Sequence, residues 1–425
     1  MKYKIWILTF IVAMPFMVNA QLKGIMQKAK SKVTQRADDK VDKEMDDILD
    51  KAEGKPTGDV ASSGNATPAA PVQEDAGVKS FSKYDFIAGE KIVYYNNFET
   101  DADAELPLGW NTNGSGEVVS LNNFEGKWLR MHKPFIYMAD NKTALKENYT
   151  IEFDVIMQLK NNGWMYPQFK FGMFSYSNDT ANLNVYLKEQ KKYACVTLSV
   201  SPGEYKSTKA QLESFADKKP YFSSDLKSFE QLEKYYGKIV HVAVQVQKER
   251  FRIWINGDKL FDIPKAVPVT YAMDQLFFEV GATNYAEEQY GMYLGNIKIA
   301  EGLPDTRHKL IDEGKFSTTA ILFDVNKATI KPESTGALKE IADVLNQHKD
   351  IRIKITGHTD SDGKAEANLT LSQKRAEAVK NELANNYSID ASRIETEGKG
   401  ATQPVADDKT KEGKAANRRV EFTKL

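Results

Sequence analysis

Cysteine and histidine are scarce in this 425-residue chain, and neither sign of charge dominates. A single cysteine, Cys195, excludes an internal disulfide framework and a cysteine-built zinc site. The five histidines are scattered along the chain, which argues against a His-rich metal centre. Lysine and arginine number 58 against 59 aspartate and glutamate, so no basic field is available to hold nucleic acid. We therefore expect no metal, no cofactor and no nucleic-acid partner.

Long hydrophobic runs are also lacking, except near the first residue. Lys2 and Lys4 are followed by a mostly apolar stretch, 5–18, that is shorter than the run of about 20 residues a membrane-spanning helix needs. Val18-Asn19-Ala20 has the small-x-small pattern of a signal-peptidase site, so 1–20 is a predicted signal peptide and the chain is predicted to be exported. An uncleaved membrane anchor is the alternative. The remaining length suits two or three domains.

Residues 21–53 carry an amphipathic pattern. Apolar side chains recur three or four apart on a charged segment without proline, which predicts one helix. Basic residues crowd its first half and acidic residues its second, which favours antiparallel pairing into a homo-oligomer or docking on a partner helix. A solitary helix is the alternative. Residues 54–80 are rich in Gly, Ala, Pro, Ser and Thr without periodicity, which predicts a flexible linker.

Residues 81–300 alternate apolar and polar side chains, as half-buried strands do. The alternation is clearest over 149–160 and 239–247, and an Asn256-Gly257 turn joins two short apolar arms at 251–255 and 259–263. These patterns predict an antiparallel β-sandwich, jelly-roll or lectin-like, with a charged insertion containing some helix at 204–237. Cys195 is expected to be a small buried residue in this region.

Two other interpretations of this region are a membrane barrel and a hydrolase. Transmembrane strands need about 9–11 residues, and the hairpin arms are about half that length. Glu152-Phe153-Asp154 resembles the start of the Glu-x-Asp-x-x-Glu signature of laminarinase-like sandwich enzymes, whose two carboxylates face the glycosidic bond. Met157 stands where the acid–base glutamate belongs, so hydrolysis by that route is not expected. Glu152 and Asp154 are predicted to face solvent instead.

Three segments of this region resemble laminin-G-like or concanavalin-like sandwich modules: NNFETDADAELPLGW at 96–110, GKWLR at 126–130 and FRIWING at 251–257. The resemblance covers about 200 residues and implies a surface for a glycan or an envelope protein partner. Glu99, Asp101 and Asp103 have the oxygen donors that calcium takes, but their generic spacing favours a plain acidic turn.

From residue 308 the pattern changes to alternating strands and helices, which predicts an α+β domain over 308–425. Strands are predicted at 320–324, 351–357, 393–397 and 419–424, and helices at 332–348 and 364–387. Asp360 follows the second of these strands. Asn368, Ser372 and Arg375 are four and three apart, so they share one face of the second helix.

A carboxylate, an amide and a guanidinium that converge on one shallow site suit a zwitterionic ligand. The set contains no activated nucleophile and no base with its orienting partner, so it indicates binding rather than catalysis. An ordinary salt bridge between Asp360 and Arg375 is the alternative.

Segments throughout this region resemble the OmpA-like peptidoglycan-binding domain, in order and at the spacing of that family. They are FDVNKATIKPES at 323–334, GHTDSDG at 357–363, NLTLS at 368–372 with Arg375-Ala376, EGKG at 397–400, QP at 403–404 and NRRVEF at 417–422. The resemblance implies a non-covalent site for the diaminopimelate residue of the peptidoglycan stem peptide. It implies that Asp360 takes the ammonium group and Arg375 the carboxylate at the free end of that side chain.

The same resemblance implies the rest of the pocket. Asn326 and Asn368 line it, and Arg418 or Arg419 lies near a second carboxylate. Lys414 replaces an arginine common in the family, a departure that leaves the pocket residues unchanged. His358 is expected to be a hydrogen-bonded structural histidine, and the charged residues of 407–411 a solvated loop.

These observations predict a Gram-negative cell-envelope protein that is not an enzyme and lies at the periplasmic face of the outer membrane. Its C-terminal domain is predicted to bind peptidoglycan and so to tether an outer-membrane or periplasmic assembly to the cell wall. The alternatives are a glycan-binding or glycan-degrading sandwich merely anchored by the C-terminal domain, and an OmpA-type outer-membrane β-barrel porin.

Overall fold

The computed structural model describes residues 84–141 and 143–425, all of which belong to one compact unit of the chain. The predicted signal peptide (1–20), helix (21–53) and linker (54–80) lie outside the described residues. The pairing suggested for the helix stays a prediction with them.

Twenty strands are present in the described residues. In chain order they are β1 (Lys91–Asn96), β2 (Asn111–Thr112), β3 (Gly116–Leu121), β4 (Phe124–Met131), β5 (Ile136–Met138), β6 (Asn148–Leu159), β7 (Phe169–Phe174), β8 (Ala194–Ser201), β9 (Lys209–Ala216), β10 (Lys219–Ser223), β11 (Lys227–Ser228), β12 (Ile239–Gln247), β13 (Arg250–Ile255), β14 (Asp258–Ile263), β15 (Gln275–Val280), β16 (Tyr290–Glu301), β17 (Lys315–Thr318), β18 (Ile353–His358), β19 (Ile394–Gly400) and β20 (Val420–Lys424).

The helices of the described residues lie mostly in the last quarter of the chain. They are α1 (Thr306–Ile311), α2 (Thr335–Gln347), α3 (Ala365–Tyr387) and α4 (Lys411–Asn417), with short 3-10 helices at Leu183–Leu187, Glu230–Tyr235, Pro332–Ser334 and Ala391–Arg393. Among the described residues, no helix combines the length and apolar character that crossing a membrane requires.

Two antiparallel sheets form the middle of the chain. In sheet A the strand order is β14-β13-β12-β6-β16-β4-β3, and β1 also pairs with β16. In sheet B the order is β10-β9-β8-β7-β15-β5-β2, and β11 pairs with β9. The sheets share one apolar core, in which Phe153 of sheet A packs 4.8 Å from Phe171 and 5.2 Å from Phe278 of sheet B between ring centroids. The predicted β-sandwich is present, and its jelly-roll or lectin-like assignment stays a prediction.

The alternation of β6 decides which of its side chains enter that core. Ile151, Phe153 and Val155 belong to the core between the sheets, because successive side chains of a strand point to opposite faces. The Asn256-Gly257 turn joins β13 to β14, as predicted. Both turn residues have positive φ, 46° and 82°, which is the conformation a two-residue hairpin requires.

One prediction about local structure was wrong, and another was confirmed only in part. The segment 204–237, predicted as a charged insertion with some helix, contains β9, β10 and β11, which extend sheet B, and its helical part is the 3-10 helix Glu230–Tyr235 that follows them. Residues 320–324 form no strand but a single bridge between Phe323 and Ile330, and the edge strand of the C-terminal sheet is β17 instead. Cys195 is buried in β8, as expected.

The C-terminal sheet has the order β17-β20-β18-β19, with β18 and β19 parallel and the other pairs antiparallel. The predicted helices and the later three strands are present within one to three residues. Helix α3 connects β18 to β19 and lies against both strands at two glycines. A Cβ at Gly357 would lie 2.2 Å from the carbonyl oxygen of Ser372, and one at Gly398 would lie 2.4 Å from the backbone nitrogen of Gln373.

The chain before β1 packs between sheet A and helix α2. The ring of Phe86 lies 5.4 Å from that of Trp254 on β13, between centroids. The carbonyl oxygen of Phe86 lies 2.1 Å from the position of a Cβ added at Gly336 of α2. Phe86, Trp254 and the apolar side of α2 therefore belong to one buried cluster.

We expect Gly336→Ala to lower the free energy of unfolding by about 2 kcal/mol, measured by urea denaturation. In an exposed helix the same change stabilises by about 0.5–1 kcal/mol, so the sign of the effect reports the contact with Phe86. Gln347→Ala, at an exposed position of the same helix, is the control and should change stability little. A Gly336→Ala protein as stable as the wild type would contradict the close packing.

Candidate functional site

The six predicted site residues line one cavity of about 410 Å³. They are Asn326, Asp360, Asn368, Arg375, Arg418 and Arg419. Their elements meet at the ends of the parallel strands β18 and β19, beside the start of α3. The packing of α3 on Gly357 and Gly398 fixes this meeting point, and Ser372 strengthens it by accepting a hydrogen bond from the Gly400 backbone nitrogen at 2.8 Å.

The carboxylate of Asp360 is buried at the end of β18. Its Oδ2 accepts a hydrogen bond from Nη1 of Arg418 at 2.5 Å, and its Oδ1 accepts one from the Asp362 backbone nitrogen at 3.3 Å. The guanidinium of Arg418 lies 5.1 Å from the centre of the Tyr95 ring, a cation–π distance. Arg418 is therefore held from two sides.

The guanidinium of Arg375 has a different set of contacts. Its Nε donates to the carbonyl oxygen of Lys327 at 3.0 Å, and its plane lies 4.9 Å from the centre of the Phe323 ring. Its two terminal nitrogens have no hydrogen-bond partner among the described residues. Burial and the nearby charge of Arg418 lower the pKa of Arg375, against the opposing charge of Asp360. Asp360 and Arg375 are thus near each other without forming the ordinary salt bridge that was the alternative.

The two asparagines differ in what they do. Nδ2 of Asn368 donates to the carbonyl oxygens of Asp360 and Asp362 at 3.2 and 2.8 Å, so this side chain holds the loop that carries the carboxylate. Asn326 is exposed at the cavity and has φ of 55°, a left-handed conformation that asparagine tolerates. Asn368 therefore stabilises the loop that carries Asp360, whereas the side chain of Asn326 is accessible to a ligand.

Arg418 and Arg419 also occupy different positions. Arg419 is buried, donates from Nη2 to the carbonyl oxygen of Gln403 at 3.2 Å, and lies 3.8 Å from Glu421. Of the two arginines, Arg418 is the one that contacts Asp360.

The sandwich forms the other wall of the cavity, which sequence reasoning missed. Glu152 and Asp154 on β6 line it and are 3% and 4% exposed, so the prediction that they face solvent was wrong. Asp154 accepts from His241 and from Asn296, each at 2.8 Å, and Lys298 lies 2.8 Å from Glu152. The C-terminal part covers this face of sheet A, and the charges are therefore paired rather than solvated.

We name Glu152, Asp154, His241 and Lys298 the sheet-A charge cluster. Burial disfavours an imidazolium, but the hydrogen bonds and charges of Asp154 and Glu152 outweigh burial and raise the pKa of His241 to about 10. Burial likewise opposes ionisation of the two carboxyls, but Lys298 and His241 lower the pKa of Glu152, and His241, Lys331 and Asn296 lower that of Asp154. At neutral pH the cluster holds two anions and two cations.

Several acidic side chains form ion pairs with lysines that were not predicted from the sequence. Lys411 Nζ lies 2.9 Å from Asp101, so the prediction of a solvated loop was wrong for this residue. Lys127 lies 3.0 Å from Asp103, and Lys414 donates to Asp362 at 2.7 Å. No group of three or more His, Cys, Asp or Glu side chains in the described part of the chain is arranged to hold a metal ion.

His358 is a buried histidine beside the cavity, but the predicted hydrogen bond is absent. Neither ring nitrogen has a hydrogen-bond partner among the residues that the structure describes, and the contact with Glu421 spans 4.0 Å. Burial, followed by the charge of Arg419, lowers the pKa of His358 to about 4, against the opposing charge of Glu421. The imidazole is therefore neutral at pH 7.

A family model described as the OmpA family matches residues 322–418, which contain five of the six site residues and end one residue before the sixth, Arg419. The outer-membrane lipoprotein YfiB of Pseudomonas aeruginosa is 36% identical over 120 residues, which are 28% of this chain and 71% of YfiB. Through these residues, the chain belongs to the OmpA family.

Other similarities cover the same C-terminal part. Outer membrane protein Omp38 of Acinetobacter baumannii is 44% identical over 100 residues, 24% of this chain and 28% of that protein. The chain therefore spans less than a third of the length of Omp38. The crystal structure of the peptidoglycan-associated lipoprotein from Burkholderia pseudomallei is similar at 31% identity and a TM-score of 0.24, over 26% of this chain and 89% of that one.

His358→Gln should make the stability of this OmpA family protein less dependent on pH. An unfolded histidine has a pKa of about 6.5, so between pH 6.5 and 4 the unfolded state binds more protons than the folded state. The free energy of unfolding falls as the pH falls through this range, by about 2 kcal/mol from pH 7 to pH 5 through this group. Urea denaturation at the two pH values should show a loss smaller by that amount in the variant.

The exposed His308 provides the control, since His308→Gln removes an imidazole far less buried. That variant should keep the decrease in stability between pH 7 and pH 5. An equal decrease in wild type and His358→Gln would mean that His358 is charged in the folded protein.

Proposed function

We propose that this chain is a non-covalent peptidoglycan-binding protein of the cell envelope, which tethers an outer-membrane or periplasmic assembly to the cell wall. The observation that carries the proposal is the single cavity in which all six predicted residues meet. Its ligand is the diaminopimelate residue of the stem peptide, whose side chain ends in an ammonium and a carboxylate group.

Each end of that side chain has a partner in the cavity. The ammonium group pairs with the carboxylate of Asp360, which already accepts a hydrogen bond from one guanidinium. The carboxylate pairs with the terminal nitrogens of Arg375, which have no partner among the described residues. An exposed ion pair contributes only about 0–1 kcal/mol, but charged hydrogen bonds in a partly desolvated cavity contribute about 1.5–3 kcal/mol each. Arg418 lies close enough to share a carboxylate of the ligand.

The proposed location is the periplasmic face of the outer membrane. The names of two relatives support it, since Omp38 is an outer membrane protein and YfiB an outer-membrane lipoprotein. The predicted signal peptide provides the export that this location requires. For the sandwich we propose an envelope protein partner or a glycan, and for residues 21–53 self-association.

We propose no enzymatic activity for the sandwich. Glu152 and Asp154, the pair that resembles a glycosidase signature, are paired with Lys298 and His241 on a covered face of sheet A. A buried, ion-paired carboxylate has no access to a glycosidic bond. The proposal therefore favours a binding role over the glycan-degrading alternative.

Asp360→Asn and Arg375→Gln are each expected to reduce binding to diaminopimelate-type sacculi at least tenfold, because each removes one charged hydrogen bond. The measurement is co-sedimentation of purified protein with isolated sacculi over a range of sacculus concentrations. Both variants should keep the circular dichroism spectrum and melting temperature of the wild type within a few degrees.

Asp350→Asn and Arg352→Gln are the matched controls, since they make the same chemical changes at exposed positions outside the cavity. Both control variants should co-sediment with sacculi as the wild type does. Sacculi with lysine in place of diaminopimelate lack the side-chain carboxylate and should bind weakly. Equal sedimentation of the wild type and both cavity variants would overturn the proposed site.

A further inference from the structure

The cavity is bounded by sheet A as well as by the OmpA family domain. Six carboxylate residues and six lysine or arginine residues line it, in addition to His241 and His358. Such a near-balance of charge suits a zwitterionic peptide better than a polyanion. Strand β1 brings Tyr95 to the boundary between the two walls, beside Arg418.

Tyr95 is held at that boundary by contacts between β1 and α4. Its backbone nitrogen donates to Glu412 Oε1 at 3.2 Å. Next to it, Nζ of Lys411 donates to Asn96 Oδ1 at 3.1 Å and to Asp101 Oδ2 at 2.9 Å. These hydrogen bonds fix the backbone of β1 relative to α4, and Arg418 follows directly after the end of α4. The ring of Tyr95 and the guanidinium of Arg418 are therefore placed by the same set of contacts.

Arg418 and Arg375 carry like charges and line the same cavity. The two guanidinium groups interact unfavourably, since the charge of Arg418 contributes to the lowered pKa of Arg375. Two contacts hold Arg418 in place despite this repulsion: the carboxylate of Asp360 and the face of the Tyr95 ring. The family domain provides the first contact, and the sandwich provides the second.

Two cations held near each other before a ligand arrives are preorganised for an anion that lies between them. A carboxylate at the end of the ligand side chain relieves the repulsion between Arg375 and Arg418. A ligand side chain that ends in an amine alone gains nothing from this arrangement. The contact with Tyr95 therefore favours ligands whose side chain ends in a carboxylate.

We propose that Tyr95 is a positioning residue of the peptide site, through which the sandwich increases the selectivity of the cavity for diaminopimelate over lysine. This inference rests on the proposed function. Tyr95 does so by holding Arg418 beside Asp360 and Arg375 through its ring face, and its hydroxyl also interacts with Arg418.

Calorimetric titration of the purified protein tests the inference with two soluble stem tripeptides, one ending in diaminopimelate and one in lysine. In Tyr95→Leu we expect the affinity for the diaminopimelate peptide to fall about tenfold, the size of one cation–π contact away from bulk water. The affinity for the lysine peptide should change less than about twofold. Tyr95→Phe keeps the ring face but loses the hydroxyl beside Arg418, so its selectivity should lie between those of the wild type and Tyr95→Leu.

Tyr221→Leu is the matched control, because it makes the same chemical change at an exposed tyrosine outside the cavity. It should keep wild-type selectivity. Arg418→Lys keeps the charge but loses the planar guanidinium, and should lose selectivity as Tyr95→Leu does. If Tyr95→Leu does not fold, Arg418→Lys provides the test.

Three results would overturn the inference. They are unchanged selectivity in both Tyr95→Leu and Arg418→Lys, an equal loss for both peptides, or a loss in Tyr221→Leu as large as that in Tyr95→Leu. Asp360→Asn separates this inference from the proposed function. If Asp360→Asn no longer binds the diaminopimelate peptide while Tyr95→Leu keeps its selectivity, the proposed binding site is supported and only the role of Tyr95 is refuted. If wild type binds neither peptide, the proposed function fails and the inference with it.

Discussion

The outer face of sheet A is covered, and the charges on it must be paired within the protein. A buried charge without a partner costs several kcal/mol, whereas the four groups of the sheet-A charge cluster neutralise one another. The same constraint applies across the cavity, where Asp360 is neutralised by Arg418. Replacing one partner alone leaves the other charge uncompensated, so the members of the cluster depend on one another. The cavity exists because these polar surfaces face each other without closing completely.

The sandwich and the OmpA family domain are in direct contact. Phe86 packs on Trp254 and against Gly336, and Lys411 pairs with Asp101, so apolar and ionic contacts both connect the two parts. A ligand that enters the cavity therefore meets both surfaces. Any partner that binds the sandwich and shifts β1 would also shift the ring on which Arg418 rests. Under the proposed function, wall binding and partner binding would then be coupled through a single strand.

Much of this could be predicted from the sequence, and the failures have one cause. Strong local signals identified the Asn256-Gly257 hairpin, helix α3 and the six cavity residues, because turn chemistry, helical spacing and a resemblance to a family depend on nearby residues. The exposure of Glu152 and Asp154 was wrongly predicted because an alternating strand has the same pattern whether water or another domain covers its polar side. The prediction that Lys411 is solvated was wrong for the same reason. Pairing across more than 300 residues leaves no local signal, and it decides whether a charge is solvated.

The affinity of such a site for one stem peptide need not be high. A few charged hydrogen bonds in a cavity open to water contribute several kcal/mol, much of which is offset by the loss of translational and rotational freedom. The cell wall, however, presents its stem peptides in many copies on one polymer, so a released site has another ligand nearby. If residues 21–53 pair as predicted, two cavities would act together, and the second binding step would become intramolecular. Under the proposed function, weak and selective contacts of this kind would hold an assembly at the wall while allowing each bond to exchange as the wall is remodelled.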